Sequence, residues 1–188
     1  SRKKLFLERK KRIHPLKDDK ILTDWNGLMI AALAMGGQIL NRPKYTNAAK
    51  KSVTFMEKNL RDKNGKLLKR YRKGKSGLDP HIDDYSFMVW GLLNLYENTF
   101  EIDYLEKAIE LTKIMIDDFS DEKGGFYIGS KYAEKLLVRS KDGYDGAIPS
   151  GNSVAVMNLF RLNKITGNTS WKELAIKTLK NFTEQAEK

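Results

Sequence analysis

The sequence predicts an all-α protein built as an arc of three helical hairpins, and three observations carry that prediction. Tyr45, Tyr104 and Trp171 are each followed four residues on by an alanine (Ala49, Ala108, Ala175) and eleven residues on by a large apolar side chain (Met56, Met115, Phe182). Self-similarity of this kind marks stacked supersecondary units, none of which buries its apolar face alone. Each of these segments also follows another apolar stretch, beginning near Trp25, Tyr85 and Asn152. The links alternate too: about three or four residues within a pair, about twenty to thirty between pairs.

The elements follow in order. Residues 1–20 are a basic lead-in. A helix over about 1–12 carries Leu5 and Phe6 on one side and ends at His14-Pro15, because proline disfavours helix in the residue before it. The first hairpin covers about 25–60. Its first helix, Trp25 to Leu40, is apolar nearly all round, which predicts burial on most sides. Pro43 suits the opening turn of the second helix. There Tyr45, Ala49, Val53, Met56 and Leu60 form one stripe with lysines opposite. The 61–82 link holds a short strand or hairpin at Lys66 to Arg72. The second hairpin covers about 83–119, with an apolar helix to Thr99 and an amphipathic one from Tyr104 to Phe119. In the next link, Phe126-Tyr127-Ile128 and Leu136-Leu137-Val138 read as a small hairpin. The third hairpin covers about 150–187. Gly167 is placed to end its first helix, and Ser170 with Glu173 to box the start of its second. Asp24, Asp83 and Ser150 sit where N-caps belong.

All-round apolar helices alternating with half-wet ones describe an inner ring wrapped by an outer ring. The long links then gather at one end, where the inner helices begin, and loops held by a rigid scaffold concentrate function. Three pairs make an arc with open apolar ends, so either further pairs complete it or copies associate. Because Ser1 is not a natural start, the chain is expected to be a fragment.

Composition narrows the classes. An apolar content of 40% fits a globular chain, and no apolar run approaches the roughly 18 residues that span a bilayer. Cysteine is absent, which excludes disulfides and thiolate chemistry and is compatible with a reducing cytoplasm. His14 and His81 are the only histidines, too far apart in sequence to suggest a metal site. No phosphate-cradling glycine motif is present, so neither metal nor cofactor is expected. The net charge of +11 is concentrated: residues 1–20 carry nine Lys/Arg against three Asp/Glu, and residues 61–75 eight against one. Such stretches attract phosphate backbones, but the aromatic interleaving of single-strand binders is missing. A solvated lysine-rich surface is the preferred reading, and nucleic-acid binding the weaker one.

The inner-helix starts carry the chemistry: Asp18-Asp19 and Asp24-Trp25-Asn26-Gly27 before the first, His81-Ile82-Asp83-Asp84-Tyr85 before the third, and Asp145 through Ser150, Gly151 and Asn152 before the fifth. Carboxylates among Trp, Tyr, Asn and His are what sugar chemistry requires. Aromatic faces stack on pyranose rings, amides bind hydroxyls, and paired carboxyls serve as acid and base. Asp83 and Asp84 are the candidate acid or base, helped by Asp19 or Asp145. Trp25, Asn26, His81, Tyr85, Ser150 and Asn152 are the candidate sugar-binding residues, with Trp25 and Tyr85 open between core and cleft. Trp90, mid-helix, reads as core.

The run Asp18-Asp19-Lys20-Ile21-Leu22-Thr23-Asp24-Trp25-Asn26-Gly27-Leu28-Met29-Ile30 resembles a segment of the spermatogenesis-associated protein 20-like family. Leu78 to Tyr85 and Asp145 to Ser153 agree with it. The resemblance implies about half of an (α/α)6 six-hairpin toroid, a fold shared with N-acylglucosamine 2-epimerases and several glycosidases. It also implies a missing thioredoxin-like domain and missing hairpins. The expected function is therefore a carbohydrate-active domain, with a binding scaffold for the thioredoxin-like module as the alternative.

Overall fold

The computed structural model describes residues 1–134 and 137–186, with side chains as far as Thr183. Seven helices and three short strands run α1 (Arg2–Lys10), β1 (Ile21–Leu22), α2 (Thr23–Ile39), α3 (Pro43–Asn59), β2 (Arg70–Arg72), β3 (Lys75–Gly77), α4 (Ile82–Thr99), α5 (Ile102–Phe119), α6 (Gly151–Thr166) and α7 (Thr169–Ala186). The inner helices stand side by side, α2 against α4 and α4 against α6. Each also packs on its own outer partner, α3, α5 or α7. This is the arrangement of about half of an α/α toroid.

The repeat landmarks explain the packing. Ala49, Ala108 and Ala175 are all fully buried, because each lets an outer helix approach its inner partner closely. The middle helix α4 is enclosed: Phe87, Met88, Val89, Leu92, Leu93 and Leu95 have no exposed surface. Helix α2 lies at the edge of the arc. Its Trp25, Met29, Met35 and Ile39 are exposed in a stripe on one side, the open apolar end that three hairpins entail. No helix among the described residues is long and apolar enough to cross a membrane.

Local details depart from expectation in instructive ways. Pro43 opens α3 and Gly167 closes α6 in the left-handed region, as read from sequence. The hairpin expected at 66–72 forms slightly later, as β2 and β3, with β1 added antiparallel on β2. The second expected hairpin falls partly on Leu136, which lies outside the described residues; among the described ones, Phe126 bridges Ser120 and Gly129 bridges His81, and Leu137 and Val138 are exposed. Leu22 and His81, not Asp24 and Asp83, hold the N-cap positions of α2 and α4, so the aspartates fall in the first turn. Asn168 caps α7 by accepting the Ser170 N–H and Oγ–H at 3.1 and 2.8 Å, which displaces the Ser170–Glu173 box. Glu187, the expected last residue of that helix, lies outside the described residues. In α1 no residue is buried, and Trp90 is only half-buried.

Candidate active site

The three-stranded sheet exists at the end of the arc where the inner helices begin, and it builds the site. Thr23 donates its N–H to Lys69 O at 3.1 Å and its hydroxyl to Leu68 O at 2.5 Å. This clamps the approach to β2 onto the first turn of α2. The Lys69 ammonium is thereby placed between α2 and α4, 2.8 Å from Asp24 Oδ2 and 3.2 Å from Asp84 Oδ2. Asp84 Oδ1 also accepts the Asp24 N–H at 3.0 Å, and Asp84 Oδ2 accepts the His81 N–H at 2.8 Å. Carboxylates in first turns face the positive end of the helix dipole. Here they also satisfy N–H groups that a helix start leaves orphaned.

Asp84 is fully buried. Burial pushes its carboxyl up to about 7, with Asp24 adding to the rise against the pull of Lys69. Two carboxyls share the one Lys69 ammonium. Asp84 therefore ties α2 to α4, and of the two aspartates read as candidate acid or base it is the one with no exposed surface.

Asp83 is half-buried and points toward α6. A Cβ built on Gly151 would lie 2.3 Å from Asp83 Oδ1, so glycine is required where α6 begins. Burial raises the Asp83 carboxyl, and the Asp24 charge adds to this against Lys69. Burial and the Lys69 ammonium hold the His81 imidazole below its ordinary range. A carboxyl shifted up beside an imidazole shifted down brings the two ranges closer together, the arrangement that general acid–base work uses. Trp25, one residue beyond Asp24, is 62% exposed and offers an aromatic face at the same end. Asn26 is half-buried, donating to Leu22 O at 2.8 Å.

The remaining candidates make their contacts outside the Lys69 group. Tyr85 has no exposed surface; its hydroxyl accepts the Leu67 N–H at 3.0 Å and its ring lies 5.3 Å from that of Phe119. The Asn152 carboxamide accepts the Phe126 N–H and donates to Phe126 O and Asp142 O. Ser150 caps α6, accepting the Ser153 N–H at 3.1 Å. Asp145 accepts the Ser150 N–H, and Asp19 pairs with Arg72. These partners hold both carboxyls below the ordinary range, Asp19 through the Arg72 hydrogen bond and Asp145 through the Ser150 N–H. Neither is drawn into the Lys69 group.

Sequence reasoning missed Lys69, one cation among eight in a basic run. That run is largely internal wiring: Arg61 pairs with Glu110, Lys66 with Asp118, Lys69 with the aspartates and Arg72 with Asp19. Pairing of this kind leaves less charge for a nucleic acid than the sequence suggests.

An arc of helical hairpins, inner helices walled by outer ones, defines an α/α toroid architecture, and solved structures share it. A Bacteroides thetaiotaomicron family 76 α-mannanase superposes with TM-score 0.73 at 16% identity, over 87% of this chain and 44% of that one. A cellobiose 2-epimerase from Bacillus thermoamylovorans gives 0.71 at 16%, over 89% and 45%. A Salegentibacter α-1,6-mannanase bound to α-1,6-mannotriose gives 0.67 at 16%, over 84% and 46%; that protein is an inactive variant with two adjacent aspartates replaced by asparagine. In sequence the chain is similar to human spermatogenesis-associated protein 20, 36% identical over 97% of this chain. It spans only a quarter of that relative's length. No family model matches the chain.

Proposed function

We propose that this chain supplies part of a carbohydrate-active site in which Asp83 transfers a proton at the reacting sugar oxygen. The observation that carries the reading is the half-buried Asp83 carboxyl, raised by burial, at the mouth shared by α2, α4 and α6. Its neighbour Asp84 makes an adjacent aspartate pair, as in the mannanase that is inactive when its pair is replaced. In this reading Asp84 positions Asp83 through the His81 N–H and Lys69, His81 is the second proton carrier, and Trp25 stacks on a ring.

The test is turnover of α-1,6-mannotriose and of cellobiose by the protein and its Asp83→Asn variant. The expected loss is at least about 100-fold, the contribution of a positioned general acid, with the melting temperature held within about 3 °C. Retained turnover rules out Asp83 as the proton donor. A second reading, a binding scaffold partnered with a thioredoxin-like module, is favoured by one feature, the exposed Trp25–Ile39 stripe of α2. Absence of sugar binding and turnover in the unaltered protein would select it.

A further inference from the structure

Beside His81, the loop that follows α5 encloses a cavity of about 120 Å³. That is room for roughly four waters at liquid density, or for one carboxylate or phosphate group. His81, Gly129, Ser130, Glu134, Arg139 and Ser140 line it, and Glu134, the one carboxylate among them, is exposed and free to turn to solvent. Backbone bonds fix its walls to the start of α4: Ile82 N–H donates to Ile128 O at 3.0 Å, Ile128 N–H donates to Ser140 O at 2.9 Å, and His81 bridges Gly129.

Arg139 is the unusual member. Its Nη2 donates to Gly129 O at 2.8 Å and to Asp118 O at 3.4 Å, and its guanidinium lies 4.0 Å from the centre of the Tyr127 ring. Its Nε is buried with no partner. Among the described residues it pairs with no carboxylate, whereas nearby Lys131 and Lys141 pair with Asp117 and Asp121. Carbonyls and a ring orient a guanidinium without neutralising it. The unmet Nε has no accessible surface and so does not face the cavity; what the cavity meets is an unneutralised guanidinium in its wall, whose rigid fork suits the planar or tetrahedral oxygens of an anion.

We propose that this cavity receives the anionic group of an acidic sugar, a uronate carboxylate or a sugar phosphate, with Arg139 as its counter-charge. The sugar part of this inference rests on the carbohydrate reading above; the anion part rests on Arg139 and the cavity. Because the cavity shares His81 with the Asp83 mouth, the anion would hold the ring that reacts there. The charges around His81 are Lys69, Asp24, Asp79 and Asp83, with Glu134 and Arg139 in the wall of the same cavity, so an added anion favours the imidazolium and raises the His81 pKa.

The chain contains its own reference, since His14 sits in the exposed lead-in with its ring nitrogen 3.3 Å from Lys10 O. Histidine NMR titrations with glucuronate, glucose 6-phosphate, inorganic phosphate and glucose distinguish the sources. The expected result is at least ten-fold tighter binding of glucuronate or glucose 6-phosphate than of glucose, an upward shift of the His81 titration and no shift at His14. Whichever acidic sugar binds tighter names the anionic group. Arg139→Gln should abolish the preference and Arg139→Lys retain part of it, with the remaining amide spectrum unchanged in both.

Glucose perturbing His81 as strongly as the acidic sugars, preference surviving in Arg139→Gln, or inorganic phosphate binding as tightly as either acidic sugar would each overturn the proposal. Turnover of neutral mannotriose that depends on Asp83, without any acidic preference, removes this inference and leaves the carbohydrate reading standing. Arg139-dependent binding of an acidic sugar without any turnover does the reverse, supporting the pocket while removing the catalytic assignment.

Discussion

Replacing Asp84 with alanine is expected to lower stability by about 2–4 kcal/mol, the cost of leaving buried hydrogen-bond donors unmet. Lys69 keeps Asp24, which limits the Coulombic part of the loss. The loss is larger than that pair alone suggests, because the Asp24 and His81 N–H groups also lose their acceptor. For a domain stable by roughly 5–15 kcal/mol, that is enough to populate the unfolded state at 37 °C. Urea denaturation at pH 7 measures it, and a loss below about 1 kcal/mol would show that the tie between α2 and α4 is not structural.

The same residue makes a prediction about pH with a definite sign. Its folded-state carboxyl is raised to about 7 against an ordinary value of 3.8, so the folded chain binds more protons than the unfolded chain between these values. Stability from this group is fully present below about 4 and is lost as pH rises through 7, at a limiting slope of about 1.4 kcal/mol per unit. Asp83, also raised, acts in the same direction. His81, which is lowered, acts in the opposite one, gaining stability as pH rises through its ordinary range. Comparison with Asp84→Asn, which cannot titrate, isolates the Asp84 component. Equal pH slopes in the two proteins would remove it.

What was legible from the sequence and what was not divide on physical grounds. The hairpin order was legible because one-sided helices must bury their stripe: Ala49 and Met56 recur as Ala108 and Met115 in the core. Asp83 was legible as a site candidate because it opens an all-round apolar helix, where a carboxyl suits the dipole. Its division of labour with Asp84 was not, since that depends on which neighbour faces Gly151 and which faces Lys69. Lys69 stands 45 residues from Asp24 and 15 from Asp84, and only the register of a three-stranded sheet brings them together. Tyr85 shows the limit of periodicity: where every side of a helix is buried, the pattern cannot tell a ring in the core from a ring in the cleft.

Gly27→Ala is expected to be a severely damaging single-methyl change. A Cβ at Gly27 would lie 2.5 Å from Phe87 C, 2.7 Å from Met88 N and 2.8 Å from Phe87 O, all backbone atoms of α4. Rotating a side chain relieves none of these contacts, so the helices themselves must separate. Gly91 reinforces the point from the other side, where an added Cβ would meet Ile30 Cγ2 at 2.9 Å and Gly27 O at 3.0 Å. Overpacking of this sort costs about 3 kcal/mol or more. It reaches the site as well, because Gly27 stands three residues after Asp24, whose N–H bonds Asp84 across the same interface. Pushing α2 from α4 therefore loosens the Lys69 group along with the core. Gly36→Ala, in the same helix, is the matched control: its Cβ would meet nothing within 4 Å, so the gain in helix propensity alone should stabilise the chain by up to about 1 kcal/mol. Opposite signs for the two variants in urea denaturation are the expected outcome. A Gly27→Ala protein as stable as the parent would mean that α2 and α4 do not make backbone contact.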